Sequence, residues 1–341
     1  MFAGISLYLL LILFCLAALT IAVFGSLMTN LADRLADVTG LGEALMGAIF
    51  LGGSTSIPGI VTSVTAAYEG YPELAISNAI GGIAVQTVFL AVADIFYRRA
   101  NLEHAAASLA NLMQGALLIS LLSLCIIGIT GPQIGILSIH PISLILIAGY
   151  VLGLRQVSVV RNQPMWRPKK TRETRVDKAQ TESMTRAAIV KTWVNFVLLA
   201  FVVGIAGYLV AEMGIAISQR IGISQTIVGG LFTAVATSLP ELVTSIASVR
   251  QGALTLAVGG IIGGNCFDVL FVAFSDAAYR GGPIYQVLTG QQTFMIALTS
   301  LLTGILLLGL IRREKYGIAN IGFESFLIIL LYVAMFIFLQ I

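Results

Sequence analysis

Two carboxylates stand inside long apolar stretches of this chain. Glu241 closes the run TSLPE (237–241), and Asp268 closes GGNCFD (263–268). Neither has a Lys or Arg beside it in sequence. An unpaired carboxylate in an apolar medium costs several kcal/mol, so the economical counter-charge is a bound cation or proton. Hydroxyl and amide oxygens accompany them: Thr55, Ser56, Thr237 and Ser238, with Asn78, Gln86 and Asn265. Carboxylate, hydroxyl, amide and backbone carbonyl oxygens are hard donors that suit Ca2+ or Na+. Cys266, a soft ligand, reads as a small apolar filler.

Backbone oxygens join the set because of proline. In TSIPG (55–59) and TSLPE (237–241), Pro58 and Pro240 each remove one helical N–H and clash with the carbonyl a turn earlier. Carbonyls near 54–55 and 236–237 are thereby expected to leave the helical ladder. At membrane depth such backbone survives only where it is buried in protein or lines a wet cavity.

The elements that must position these groups are membrane spans. Of 341 residues, 58% are hydrophobic and 10% charged, against roughly 25% charged in soluble domains. Stretches of about twenty apolar residues cross the roughly 30 Å hydrocarbon layer. Ten are predicted: 5–28, 41–67, 73–97, 106–130, 133–155, 187–212, 222–249, 253–279, 286–311 and 318–340. The first lacks a basic leader and reads as a span and not as a cleaved signal.

With the N-terminus outside, 17 of the 19 Lys and Arg residues fall on the cytoplasmic side, leaving Arg220 and Arg280 outside. Ten of the 17 lie in or beside the link between spans 5 and 6, from Arg155 to Lys191. Both termini are then expected outside an inner (cell) membrane. The basic link reads as a solvated topology determinant near acidic lipid head groups, with Trp166 as an interfacial anchor. The expected organisation is 1–155, a linker at 156–186, and 187–341.

Those two halves are copies. Residues 51–98 and 233–280 align without a gap at an offset of 182, with 17 identities in 48 positions. The matches include Thr55/Thr237, Ser56/Ser238, Pro58/Pro240, Gly81/Gly263, Gly82/Gly264, Asp94/Asp276 and Arg98/Arg280. Five spans per half is odd, so the copies are inverted. The fold is therefore an all-α polytopic membrane protein of ten helices in two inverted five-helix repeats, an arrangement that places a transport site at midplane.

At this point the residues resemble the calcium/cation antiporter superfamily, whose sodium/calcium exchangers carry two such repeats. TSLPELVTSI (237–246) and GGNCFD (263–268) are similar to its second signature, normally GTSLPEL and GSNIFD. The resemblance implies that Thr237, Ser238, Glu241 and Asp268 form half of a midplane cation site and that Thr55 and Ser56 belong to the other half. It also implies secondary exchange of a cation, Ca2+ by resemblance, against Na+ or H+, with the first helix of each half sliding across a rigid core. The first repeat departs from the pattern: the acidic residue after proline is Gly59, the run normally ending in Asn reads GIAVQ (82–86), and the site serine of the second repeat is Gly264. Two readings stay open beside Ca2+ exchange. One is a monovalent or proton-coupled antiporter, and the other is a membrane sensor or subunit that binds ions without transporting them.

The remaining polar residues have expected structural roles. Asp94 and Asp276 each precede an Arg by four residues and read as i,i+4 ion pairs. Glu43, Glu69, Glu73 and Glu212 read as surface charges, and His104 and His140 as interfacial polar residues and not a metal pair. Cys15, Cys125 and Cys266 read as reduced thiols in apolar runs. SNAIGG (77–82) and VGGIIGG (258–264) allow close helix approach. No nucleophile–base pair, redox motif or nucleotide loop is found, which argues against an enzyme, a resident cofactor or a nucleic-acid partner. No obligate protein partner is expected.

Overall fold

A computed structural model of the chain describes residues 2, 4–39, 50, 52–97, 100–106, 108–169, 171, 185–315 and 322–340. The architecture is all helical among these residues. The first set of helices is α1 (Leu7–Thr39), α2 (Ile57–Tyr68), α3 (Pro72–Ile95), α4 (Leu109–Thr130) and α5 (Pro141–Asn162). The second set is α6 (Arg186–Ile221), α7 (Gln225–Ile227 continuing to Leu239–Gln251), α8 (Leu254–Ala278), α9 (Gly290–Arg312) and α10 (Phe323–Phe338).

A helix lies in each of the ten predicted spans, and most of 41–51 lies outside the described residues. Eight are long and apolar enough to cross a membrane, while Ile57–Tyr68 and Phe323–Phe338 are shorter. Four limits move. The helices α1 and α6 run on to Thr39 and Ile221, at 33 and 36 residues, far longer than one crossing requires. Helices of this length are long enough to cross the layer with tilt or to extend beyond it. The fifth span begins at Pro141, eight residues later than expected, because His140 caps it through a bond from the Ile142 N–H to Nδ1 at 3.1 Å. Residues 132–140 form a loop instead, closed by Ile136 and Ile139. The same helix reaches Asn162, so Arg155 and Arg161 are helical. Glu43, Arg98, Arg99 and linker residues 172–184 lie outside the described residues.

The centre of the molecule is α3. Its most apolar window is 94% buried, against 22% for α1. It packs on α2, α7, α8, α9 and α10. The close-approach prediction holds where α3 meets α7. A Cβ on Gly81 would lie 2.3 Å from the Gly230 carbonyl oxygen, and one on Gly229 would lie 2.5 Å from that of Leu74. Residues Val228–Thr233 of α7 are wound as a π-helix at this contact, a local expansion that often marks functional positions.

The two long helices lean on the two prolines. A Cβ on Gly25 of α1 would meet Pro240 Cγ at 2.5 Å, and one on Gly207 of α6 would meet the Pro58 carbonyl oxygen at 2.7 Å. These two contacts are related by the repeat offset at both ends, 25 to 207 and 58 to 240. One difference breaks the symmetry: Thr62 donates to the Gly207 carbonyl at 2.8 Å, whereas its counterpart Thr244 bonds back to Pro240 at 2.9 Å.

The ion-pair reading of the terminal aspartates is corrected for Asp276. Its carboxylate accepts from the N–H groups of Ile284 and His140, both at 2.7 Å, and from Ser143 Oγ at 2.6 Å. Arg280 instead lies over the Tyr68 ring, 4.8 Å from its centroid. Asp94 plays the equivalent part, accepting from Leu102 N at 2.6 Å and Gly322 N at 3.3 Å. The partners again differ by 182, Leu102 with Ile284 and His140 with Gly322. Each aspartate therefore ties the end of its helix to its own loop and to the start of a more distant helix. The local i,i+4 rule missed this because the donors are backbone groups far away in sequence.

Both histidines sit in connections between helices and are buried there. His104 contacts the Arg313 carbonyl at 2.7 Å and Thr171 at 3.0 Å, tying the linker to the end of α9. Beside it, Glu103, in the connection between α3 and α4, accepts from Ser325 Oγ at 2.8 Å while its other oxygen has no partner. Burial, followed by the neighbouring Glu324, holds the Glu103 carboxyl above the usual range. Because the folded pKa is the higher one, this stabilising contribution is complete below the ordinary Glu pKa and is lost as pH rises through the folded value. Melting temperature is therefore expected to fall as pH rises above the ordinary Glu range, and Glu103→Gln to flatten that slope. Parallel slopes for the two proteins in a thermal scan would refute the assignment.

Candidate functional site

Proline shapes the site as expected. The helix of the second repeat breaks between Thr237 and Leu239 with a bend of 47°. In the first repeat the helix is interrupted at Ser56, and Pro58 opens the first turn of α2. Each break presents a Thr–Ser pair toward the middle of the helix bundle, where α3 and α8 cross behind it.

Polar bonds run between the repeats. Ser56 Oγ donates to Asp268 Oδ1 at 2.5 Å, and Gln86 Nε2 donates to Asp268 Oδ2 at 2.7 Å. The same Gln86 amide reaches Ser238 Oγ at 3.4 Å. Gln86 and Asp268 are repeat counterparts, as are Ser56 and Ser238. The four side chains thus form a hydrogen-bonded chain across the pseudo-twofold axis. Thr55, whose hydroxyl donates to the Gly52 carbonyl at 3.0 Å, stands beside the Glu241 carboxyl. So both acids of the second repeat meet the Thr–Ser pair of the first.

The reverse half is incomplete. Thr237, the counterpart of Thr55, finds no carboxylate, since the counterpart of Glu241 is Gly59. Its hydroxyl bonds back to Thr233 O at 2.9 Å and Ala234 O at 3.3 Å. Glycines make room around these side chains: a Cβ on Gly82 would face Ser238 Oγ at 3.5 Å, and one on Gly264 would face Gln86 Oε1 at 3.7 Å.

Three oxygen acceptors in this region are buried and lack a partner: Glu241 Oε2, Gln86 Oε1 and Asn265 Oδ1. Glu241, Gln86, Asn265 and Asp268 are each at most 8% exposed. An orphaned buried acceptor costs about 1–3 kcal/mol, and a charged one more. Three such oxygens near two carboxyls form an acceptor-only environment, which a cation or proton satisfies.

Of the nine residues expected at the site, Thr55, Ser56, Gln86, Ser238, Glu241 and Asp268 are brought together by these contacts. Asn265 contributes its free oxygen while its Nδ2 donates to Thr87 at 3.3 Å. Thr237 stands at the break but bonds its own helix. Asn78 is different. Its amide donates to Ser63 at 2.9 Å and to the Gly59 carbonyl at 3.3 Å, and its oxygen accepts from Thr233 at 2.7 Å. It clamps α2, α3 and the π-helical turn together, with its donors and acceptor all committed. Sequence reasoning also passed over Phe271, whose ring packs on Gly59. Its only signal was the Phe89/Phe271 identity in the repeat.

Ten helices in two inverted repeats, with a buried oxygen-rich cluster where the repeats cross, define a polytopic membrane protein of the cation-exchanger fold. The family described as sodium/calcium exchanger protein matches residues 9–155 and 190–341. The chain belongs to that family. Among curated relatives, the sodium/calcium exchanger MaX1 of Methanosarcina acetivorans is 32% identical over 136 residues, 39% of this chain and 38% of the relative. The inner membrane protein YrbG of Escherichia coli is 31% identical over 114 residues, 33% of this chain and 34% of that protein. The aligned part thus spans little more than a third of either relative. Similar solved structures include the H+/Ca2+ exchanger CAX, with a TM-score of 0.70 at 14% identity over 96% of this chain and 82% of the other. The sodium-calcium exchanger NCX_Mj gives 0.63 at 19% identity, over 96% and 98%. At these identities the likeness is one of fold.

Proposed function

We propose that this chain is a secondary cation antiporter working by alternating access, with its ion held between Glu241, Asp268, Gln86 and Asn265. The observation that carries this reading is the set of orphaned oxygens on Glu241, Gln86 and Asn265. They belong to or accompany a hydrogen-bonded chain of side chains drawn from both repeats, where relative motion of the halves alters access. Ser56 orients the Asp268 carboxyl, Thr55 stands beside that of Glu241, and Ser238 supports Gln86. The names of MaX1, CAX and NCX_Mj point to Ca2+, Na+ and H+ as the ions to test.

The packing of two long helices across the breaks supports such a cycle. The pair α1 and α6 pack against each other and cross the site-bearing helices at Pro240 and Pro58. Sliding of this pair over the remaining helices would expose the site to one side and then the other. The proposed orientation puts both termini outside and the basic linker at the cytoplasmic surface of an inner membrane, where acidic head groups meet its Lys and Arg residues.

Purified protein in proteoliposomes tests the reading. Loaded with Na+ or held at an imposed pH gradient, vesicles are expected to take up or release a counter-cation only when protein is present. Absence of exchange for Ca2+, Na+, K+ and H+, with a protein that still melts cooperatively, would favour the non-transporting ion-binding alternative.

A further inference from the structure

The most informative departure from twofold symmetry is the pair formed by Gly59 and Phe271. On the face of α8 directed at the first repeat, Asp268 and Phe271 are one turn apart, at i and i+3. Ser56 and Gly59 have the same spacing on the opposing segment. Two rungs result: Ser56 bonds Asp268, and Gly59 meets Phe271. A Cβ built on Gly59 would lie 2.6 Å from Phe271 Cε2, 3.2 Å from Cζ and 3.7 Å from Cδ2. The ring therefore occupies the space through which any side chain at 59 would leave the backbone.

The repeat offset says what is missing there. Gly59 corresponds to Glu241, and Phe271 to Phe89. By the repeat correspondence the position paired with Phe89 holds Glu241, whereas the position paired with Phe271 holds Gly59. Phe271 is 4% exposed and is held by an edge contact to Phe267, ring centroids 6.4 Å apart, which itself meets Tyr150 edge-on at 5.8 Å. Gly52 and Gly53 lie against Phe267 as well, at 3.6 Å and 3.4 Å from their Cβ positions. An aromatic wall thus backs the first-repeat break, and its end seals the position facing Glu241 across the axis.

We propose that Phe271 is a specificity-determining residue: its ring replaces the absent first-repeat carboxylate with an apolar surface, so the cation is ligated from one side and the site selects a singly charged ion, Na+ or H+, over Ca2+. The inference rests on the site assignment of the preceding subsection. Its chemistry is one of charge count. A divalent ion gives up a large hydration energy and is retained by several anionic oxygens. Here the anionic supply is Glu241 and Asp268, and both oxygens of Asp268 already accept hydrogen bonds from Ser56 and Gln86. Glu241 Oε2 is buried and left without a protein partner. With both Asp268 oxygens already engaged and no first-repeat carboxylate to add to them, the site offers fewer unengaged anionic oxygens than a strongly hydrated divalent ion needs, which favours a singly charged one.

The experiment combines packing and ion binding in purified, detergent-solubilised protein. For packing, Gly59→Ala is expected to lower the melting temperature by several degrees in the wild-type background and by much less in a Phe271→Ala background, a positive coupling in a double-mutant cycle. For selectivity, wild-type protein is expected to show an Na+- or pH-dependent thermal shift and little response to Ca2+. Gly59→Glu alone is expected to gain no Ca2+ response, whereas Gly59→Glu with Phe271→Ala is expected to bind Ca2+ at least about tenfold more tightly than wild type. Gly59→Ala melting like wild type, or Gly59→Glu alone binding Ca2+ as tightly as the double variant, would overturn the assignment to Phe271. Failure of the site reading would look different: Glu241→Gln would leave every ion-dependent shift in place, while the ion-free coupling between 59 and 271 persisted.

Discussion

Glu241→Gln is expected to reduce cation exchange in proteoliposomes by at least about 100-fold while leaving the protein folded. The argument starts from which oxygens are free. Both oxygens of Asp268 accept hydrogen bonds, whereas Glu241 Oε2 is buried without a partner. A cation entering the site must leave its water behind, and the negative charge at Glu241 is what offsets that loss. Glutamine keeps the shape of the side chain, but it removes the charge. Removing one member of a buried charge pair typically costs about 3–5 kcal/mol, which corresponds to roughly two to three and a half decades in binding. The apo protein should melt at the same temperature or slightly higher, since a buried unpaired carboxyl has been neutralised. Unchanged flux for every cation carried by the wild type would remove Glu241 from the site.

Gly81→Val is expected to be the most damaging single change in the helix core. The Cβ alone would sit 2.3 Å from the Gly230 carbonyl oxygen and 2.5 Å from its Cα. Both are backbone atoms, so no side chain can rotate away. Overpacking in a core that can adjust costs about 1–3 kcal/mol, and here the adjustment would have to separate α3 from the π-helical turn of α7. That contact sets the distance between the two repeats. Loss of the monodisperse peak in size-exclusion chromatography, or a melting temperature lower by more than about 10 °C, is the expected result. Its repeat counterpart supplies the control. A Cβ on Gly263 would meet only Gln114 Nε2, at 3.0 Å, the far end of a flexible side chain. Gly263→Ala should therefore be mild, and wild-type behaviour of Gly81→Val would show that the two helices are not in the contact described.

The polar network shows how far local patterns carry. Asp94 and Asp276 fit an i,i+4 pair with the following Arg, yet Asp276 is used to hold Ile284, His140 and Ser143. Asn78 has the residue type and depth of a ligand, yet its hydrogen-bonding groups are spent on Ser63, Gly59 and Thr233. Thr237 matches Thr55 in sequence and in its place at a helix break, but only Thr55 stands beside a carboxyl. Residue type and span position say that a group could donate an oxygen. Whether that oxygen is already engaged depends on partners many residues away.

Several features were decided by the sequence itself. Apolar length gave ten spans, because hydrocarbon thickness sets the number of residues per crossing. The gap-free offset of 182 gave the duplication, and an odd number of spans per copy required inversion. Pro58 and Pro240 located the broken helices, since a missing N–H is a property of the residue alone. Glu241 and Asp268 stood out because a carboxyl in an apolar run needs a counter-charge wherever it is folded. Tertiary structure decided the rest. It joined Ser56 to Asp268 and Gln86 to both Asp268 and Ser238, left three oxygens without partners, and set Phe271 against Gly59. These are contacts between segments up to 212 residues apart. Their geometry follows from how α3 and α8 cross behind the two breaks, and a linear pattern of residue types holds no record of that crossing.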